Sequence, residues 1–163
     1  VTTPDRQLEF QQLLQRNRGR LAAIARAYSW GEADDLLQEM LLQLWRGLGS
    51  FEQRASIDTW CYRVALNTAI SWRRSAARRK AKLPAEVADI NHVPGTVDGN
   101  DPVELLQQFL QTLSDADRAL VLMYLEGMSG SEMAEVMGIR ETAVRVRIHR
   151  IKNRLAEWNA GDV

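Results

Sequence analysis

Cysteine is almost missing from this 163-residue chain. Cys61 stands alone, and histidine occurs only at His92 and His149. A single thiol forms no intramolecular disulfide, and one cysteine with two distant imidazoles assembles no zinc-type ligand set. No metal and no cofactor is expected. Glycine-rich phosphate loops, the nucleophile elbow and the His-Glu-x-x-His helix are also missing. No catalytic residue can be named, and the chain is expected neither to be an enzyme nor to take a small-molecule substrate. No apolar run approaches the roughly 18–20 residues that span a bilayer, and the first twenty residues lack the apolar centre of a secretory signal. The expectation is a cytoplasmic protein with no direct membrane insertion. Hydrophobic residues still make up 45% of the chain, enough for a packed core in one ordinary domain or two small helical ones.

An excess of charge of either sign is lacking too, with net charge zero. The balance conceals segregation. From Arg54 to Lys82 the charged residues are Arg54, Arg63, Arg73, Arg74, Arg78, Arg79, Lys80 and Lys82, opposed by Asp58 alone. From Arg140 to Arg154 they are Arg140, Arg145, Arg147, Arg150, Lys152 and Arg154, opposed by Glu141 alone. Between these blocks, Glu86 to Glu126 is acidic, with Arg118 its only base. Two basic blocks separated by an acidic one point to two polyanion contacts on one chain.

Good helix formers dominate and no stretch alternates with period two, so the fold class is all-α. Helices are expected from about Asp5 to Tyr28, with Leu8, Leu14, Leu21, Ile24 and Ala25 facing the core, and from about Asp34 to Gly47. A third begins near Ser56 and fades in the basic run from Arg73 to Lys82. Pro84, Pro94, Gly95, Gly99 and Pro102 then punctuate a polar stretch without periodicity, which reads as a flexible linker. The chain divides into residues 1–82, a linker at 83–101, and residues 102–163, where four shorter helices are expected.

The segment Ser129 to Val144 has the spacing of a DNA-reading helix-turn-helix. Ala134 is small where the helices cross, Gly138 supplies the positive φ of the turn, and Ile139 and Val144 plug the wedge. On the last helix Val144, Ile148, Ile151, Leu155 and Trp158 form a stripe expected to pack inward. The other side presents Thr142, Arg145, Val146, His149, Arg150 and Asn153, with Arg147 at the edge. Arginine reads guanine bidentately in a major groove and neutralises phosphate. The plainer reading of such a face is a solvated basic surface.

In the N-terminal half, Ser50 to Arg74 interleaves aromatics, an asparagine and arginines on one helix, the combination that single-stranded nucleic acid needs for stacking and charge neutralisation. Phe51, Thr59, Trp60, Tyr62, Arg63, Val64, Ala65 and Asn67 resemble region 2 of the extracytoplasmic-function sigma factors, of the sigma-70 family of bacterial RNA polymerase. Asp34 to Trp45 resembles that family's polymerase-binding helix, and Leu113 to Ser129 with the helix-turn-helix resembles its region 4. The resemblance covers nearly the whole chain in the right order.

It implies an alternative sigma factor with bacterial core RNA polymerase, promoter DNA and an anti-sigma factor as partners. Asp35, Gln38, Glu39 and Leu42 would grip the polymerase. Arg54, Ser56, Arg63, Asn67, Arg73, Arg74 and Arg78 would hold the melted minus-ten strand, with Asn67 and the loop from Glu52 to Ser56 forming a pocket for a flipped base. Thr142, Arg145, Val146, Arg147, His149 and Arg150 would read the minus-thirty-five duplex. Leu66 stands where the family often has a basic residue, and Trp72 replaces a common tyrosine. Trp45, Trp60 and Val64 read as core, and Asn67 reads either as a strand contact or as a buried asparagine satisfied by backbone. The alternative is a conventional helix-turn-helix transcriptional regulator with an N-terminal sensing or dimerisation domain, which would bind its promoter tightly without polymerase.

Overall fold

Helix formers run from Thr3 to Tyr28 with one interruption at Gly19, and that stretch is helix α1. Gly31, at φ 101°, turns the chain. Helix α2 follows from Ala33 to Leu48, with Asp34 and Asp35 in its electropositive first turn. Helix α3 runs from Ile57 to Ala81. Ser56 caps it, its hydroxyl accepting the Thr59 N–H at 3.0 Å. The expectation that α3 fades within the run from Arg73 to Lys82 is met only at the far end of that run, at Ala81. Arginine and alanine are both good helix formers, and the helix persists through the basic run. The computed structural model describes residues 3–29, 31–81 and 102–160. The stretch read as a linker, 83–101, lies outside the described residues, as do Lys82 and His92.

Four helices build the second half: α4 (Pro102–Thr112), α5 (Asp115–Leu125), α6 (Gly130–Met137) and α7 (Glu141–Asn159). Ser114 caps α5 through the Asp117 N–H. Ser129 and Glu132 form a reciprocal capping box at the start of α6. Gly138, left-handed at φ 65°, makes the α6–α7 turn as expected. Among the described residues there is no strand, and no helix is long and apolar enough to cross a membrane.

The buried residues of the two halves form one hydrophobic cluster. Leu13, Leu21, Ile24 and Tyr28 of α1 bury with Leu36, Met40 and Leu44 of α2 and with Cys61, Ala65 and Ala69 of α3. In the second half Phe109, Leu120, Met123, Met133, Val136, Val144 and Ile151 are buried. Two expected core residues are not. Leu8 is 56% exposed, because at about 100° per residue it stands nearly opposite the stripe of Leu13, Leu21 and Ile24. Leu155 lies on the right stripe of α7 but is left uncovered, at 39% exposed. Trp60 and Val64 are half-buried against the core, and half-buried Trp45 packs edge-on to Phe10, ring centroids 5.2 Å apart. Asn17, by contrast, is buried, and its amide donates to the Leu13 carbonyl and to Asp58 at 2.7 Å, tying α1 to the start of α3.

Cys61 is fully buried, and burial, reinforced by Asp58, pushes its thiol up to about 12. The thiolate is the reactive form. Native protein at pH 8 is therefore expected to resist iodoacetamide and to gain one adduct, seen by intact mass, only on unfolding. Rapid alkylation of the folded chain would contradict this packing.

Candidate nucleic-acid interface

The helix-turn-helix is assembled by the buried Met133, Val136 and Val144, with Ala134, Ile139 and Ile148 half-buried around them. This fixes which side of α7 faces solvent. Thr142, Arg145, Val146, His149, Arg150 and Asn153 are all exposed and fall on one face. Arg145 is held by Glu141 at 3.3 Å while remaining 76% exposed, and Asn153 and His149 lie 3.4 Å apart. Val146, at 56% exposed, is an apolar group offered to solvent within a polar face, the kind of group that meets a thymine methyl. Arg147 is half-buried. It stands well around the helix, nearer the packed stripe, and the structure does not bring it to the same face.

On α3, Arg63, Asn67, Arg74 and Arg78 recur at i, i+4, i+11 and i+15 and form one line about 22 Å long. Asn67, Arg74 and Arg78 are exposed and Arg63 is half-buried. The reading of Asn67 as a buried asparagine is corrected, because its side chain faces outward and borders a groove. That groove, about 750 Å³, runs between α2 and α3 and is lined by Glu39, Gln43, Arg46, Asn67, Trp72 and Arg79 among others. Arg79 approaches the Trp72 ring at 5.9 Å. Arg46 was not singled out from sequence, and Arg79 was named only as part of the basic block; their place in a helical stripe could have flagged both. Leu66 is buried, so its position offers no phosphate contact.

Three members of the melted-strand set sit differently. Arg73 is turned away from the line and pairs with Asp115 at 2.8 Å, with 24% of its side chain exposed. Ser56 spends its hydroxyl on the α3 cap and on Thr59. Arg54 is 85% exposed on the loop and paired with Glu52. That loop is anchored by Phe51 against Trp60, ring centroids 5.3 Å apart. Trp60 in turn lies so close to Gly47 that a Cβ there would meet it at 2.9 Å. Gln53 is left-handed at φ 54°, uncommon for a side-chain-bearing residue.

On α2, Asp35, Gln38 and Leu42 are exposed on one face and Glu39 is half-buried beside them. This face is opposite the buried Leu36, Met40 and Leu44. Glu39 accepts from Gln43 at 2.7 Å. Leu42, 41% exposed, gives an acidic and polar face an apolar centre suited to a protein partner.

The two halves touch through residues that no motif announced. The Tyr28 hydroxyl donates to the Asp115 carbonyl at 2.5 Å. Burial holds that hydroxyl far above its ordinary range, so it keeps its proton. Arg118 is 1% exposed and donates to the carbonyls of Leu110 at 2.8 Å and Leu113 at 3.3 Å. Its guanidinium lies 5.1 Å from the Tyr28 ring and 3.9 Å from Asp115. Among the described residues no cluster of His, Cys, Asp and Glu is grouped to hold a metal ion.

Comparison with known proteins places this geometry. Residues 13–79 match the family model described as sigma-70 region 2, and residues 104–155 match the one described as sigma-70, region 4. The chain is 31% identical over 150 residues to the ECF RNA polymerase sigma factor SigM of Mycobacterium tuberculosis, covering 90% of this chain and 75% of that protein. It is 30% identical to the ECF RNA polymerase sigma-E factor of Haemophilus influenzae, covering 88% and 83%. Among solved structures, CnrH in complex with the cytosolic domain of CnrY aligns with a TM-score of 0.68 at 26% identity, over 96% of this chain and 91% of that one. The sigma factor RpoE of Bartonella quintana, in complex with the anti-sigma factor NepR, shares the fold, with a TM-score of 0.74 at 24% identity over 95% and 99%.

Proposed function

This chain belongs to the extracytoplasmic-function branch of the sigma-70 family, and from that premise we infer how its two halves divide the work of starting transcription. It joins bacterial core RNA polymerase and directs initiation at a defined set of promoters. The nucleotide chemistry belongs to the polymerase, and the chain works in the cytoplasm where that enzyme is found.

Residues 1–82 dock on the polymerase through Asp35, Gln38, Glu39 and Leu42 and capture the melted minus-ten strand along Arg63, Asn67, Arg74 and Arg78. Residues 102–163 read the minus-thirty-five duplex with the outer face of α7. Residues 83–101 join the two. The observation that carries this reading is the pair of outward faces, the α3 line with Asn67, Arg74 and Arg78 exposed and the α7 face with Arg145, Val146, His149 and Arg150 exposed. An extruded base costs a few kcal/mol of stacking and pairing, which Asn67 and the loop from Glu52 to Ser56 offset by offering new partners.

Two solved relatives were captured with proteins that bind them, NepR, an anti-sigma factor, and the cytosolic domain of CnrY. By that likeness this chain is held by an anti-sigma factor until a signal releases it. The rival, a conventional regulator with a sensing domain, is disfavoured by the region 2 match over residues 13–79.

Reconstitution with core polymerase on a genomic promoter library tests the reading. Promoter-specific transcripts that require the chain are expected; tight promoter binding by the chain alone, with no transcripts, would favour the rival. Within that assay Arg150→Ala is expected to weaken holoenzyme binding to minus-thirty-five duplex by roughly tenfold, the order of one base-edge contact. Unchanged affinity and an unchanged salt slope would remove Arg150 from the contact set.

A further inference from the structure

The loop assigned to the flipped base is fixed at its far end by Ser56, which caps α3. Its near end leaves α2 at Gly49, and there a residue of α1 lies across the helix terminus. The Arg6 guanidinium donates to the Trp45 carbonyl and stands 4.5 Å from the centroid of the Trp45 ring. It also lies beside Gly49, where a Cβ would meet its Cζ at 3.3 Å. We propose that Arg6 is a positioning residue for base capture: it fixes the last turn of α2 and so the direction in which the chain enters the loop from Glu52 to Ser56. The inference rests on the assignment of that loop and Asn67 to the flipped base.

The end of α2 needs such a partner. The Gly49 N–H, which in a continuing helix would bond to the Trp45 carbonyl, donates to the Gly47 carbonyl instead. The Trp45 carbonyl therefore takes its donor from Arg6, as carbonyls at a helix end commonly do from a basic side chain. A cation there also meets the negative end of the helix dipole. The Arg6 Nε is buried with no partner among the described residues, so the place of the group depends on the carbonyl and the ring face. Lysine, a point charge, cannot lie flat on the ring and reach the carbonyl in the same way. Downstream the chain has little slack to absorb a shift. The Ser50 N–H and hydroxyl both donate to the Gly47 carbonyl at 3.0 Å. Phe51 is seated on Trp60, which is itself wedged against Gly47, and Gln53 already stands in the left-handed region. A displaced α2 terminus is thus passed along the backbone to the residues that meet the base. Binding groups work only when a supporting shell holds them within about 0.5 Å of their productive places, and Arg6 belongs to that shell.

The test uses the full chain assembled with core polymerase. The probe is a fork template carrying the minus-thirty-five duplex of a promoter recovered from the library and an unpaired minus-ten strand, with an abasic site placed at each position in turn. The position where loss of the base weakens wild-type binding most marks the flipped base, and the readout is the affinity ratio of intact to abasic strand at that position. Arg6→Met keeps a long side chain against Trp45 but has no donor. It is expected to cut the ratio roughly threefold to tenfold, the scale of a binding group moved off its place. Gly49→Ala, which pushes the guanidinium aside without removing it, is expected to cut the ratio in the same direction, and Arg6→Lys to fall between wild type and Arg6→Met. Affinity for core polymerase and for the minus-thirty-five duplex alone is expected to stay at the wild-type value. The proposal is overturned if Arg6→Met and Gly49→Ala keep the wild-type ratio. It is equally overturned if they weaken intact and abasic strands alike, which would make Arg6 a support of the fold alone, or if Arg6→Met loses core binding, which would place Arg6 in the polymerase face. Asn67→Ala in the same assay separates the two failures. A ratio lost in Asn67→Ala and kept in Arg6→Met sinks the role of Arg6 alone, whereas a wild-type chain indifferent to abasic sites at every position sinks the base pocket and Arg6 with it.

Discussion

Asn67→Ala is expected to lower the rate of promoter opening by roughly a hundredfold while leaving assembly with core polymerase intact. Asn67 is exposed on the α3 line, and its side chain forms no hydrogen bond among the described residues. Its amide is thus available to a base edge on the open side of the α2–α3 groove. Losing a hydrogen-bonding group that meets a base, and leaving the base's polar edge unpaired, costs about 1–3 kcal/mol. That loss falls on a step that already carries the cost of unstacking. The fold should not suffer, because alanine is the better helix former at an exposed interior position. Permanganate footprinting of the melted region gives the opening rate, and native gel shift gives holoenzyme assembly. Wild-type opening by Asn67→Ala would move the base pocket elsewhere on the molecule. A lower melting temperature would instead mark Asn67 as structural.

Arg118→Ala is expected to lower stability by about 3–5 kcal/mol, the scale of stripping one partner from a buried charge-assisted network, and the melting temperature by about 10 °C or more. Arg118 ties the last turn of α4 to α5 through the Leu110 and Leu113 carbonyls. Carbonyls at a helix end lack the usual i+4 donor, and the Leu110 carbonyl has besides Arg118 only the Leu113 N–H at 3.3 Å. Burial first, and then Arg73, lowers the guanidinium from its ordinary range, yet arginine remains charged in proteins and keeps donating. Removing it leaves the Leu113 carbonyl without that donor, the Leu110 carbonyl with only the Leu113 N–H at 3.3 Å, and a cavity beside the Tyr28 ring. Urea denaturation followed by circular dichroism measures the loss. Arg118→Lys, which keeps the charge but not the forked geometry, should fall between. A midpoint unchanged in Arg118→Ala would show that water replaces the guanidinium without cost.

Local rules located most of the helices. Capping residues, the turn glycine Gly138, and the 3.6-residue period each act over a few positions, so they can be read from short windows. The Ser129–Glu132 capping box was equally legible as Ser-x-x-Glu, although only the apolar spacing around it was used. Periodicity misled at Leu8 and Leu155. A stripe indicates which residues share a face, but not where the neighbouring helix stops covering it.

By itself the chain determined an all-helical fold in two halves, a helix-turn-helix whose basic face points away from its core, and a second basic helix with an asparagine on its line. Those features follow from propensity, spacing and charge, which are properties of residues near one another in sequence. Only the tertiary structure decided that Asn67 is open to solvent, that Arg73 and Arg147 leave the faces expected for them, and that Arg118, Tyr28 and Asp115 meet. Such partners lie up to about ninety residues apart, as for Tyr28 and Asp115. Their meeting depends on how whole helices pack, and no local pattern encodes that.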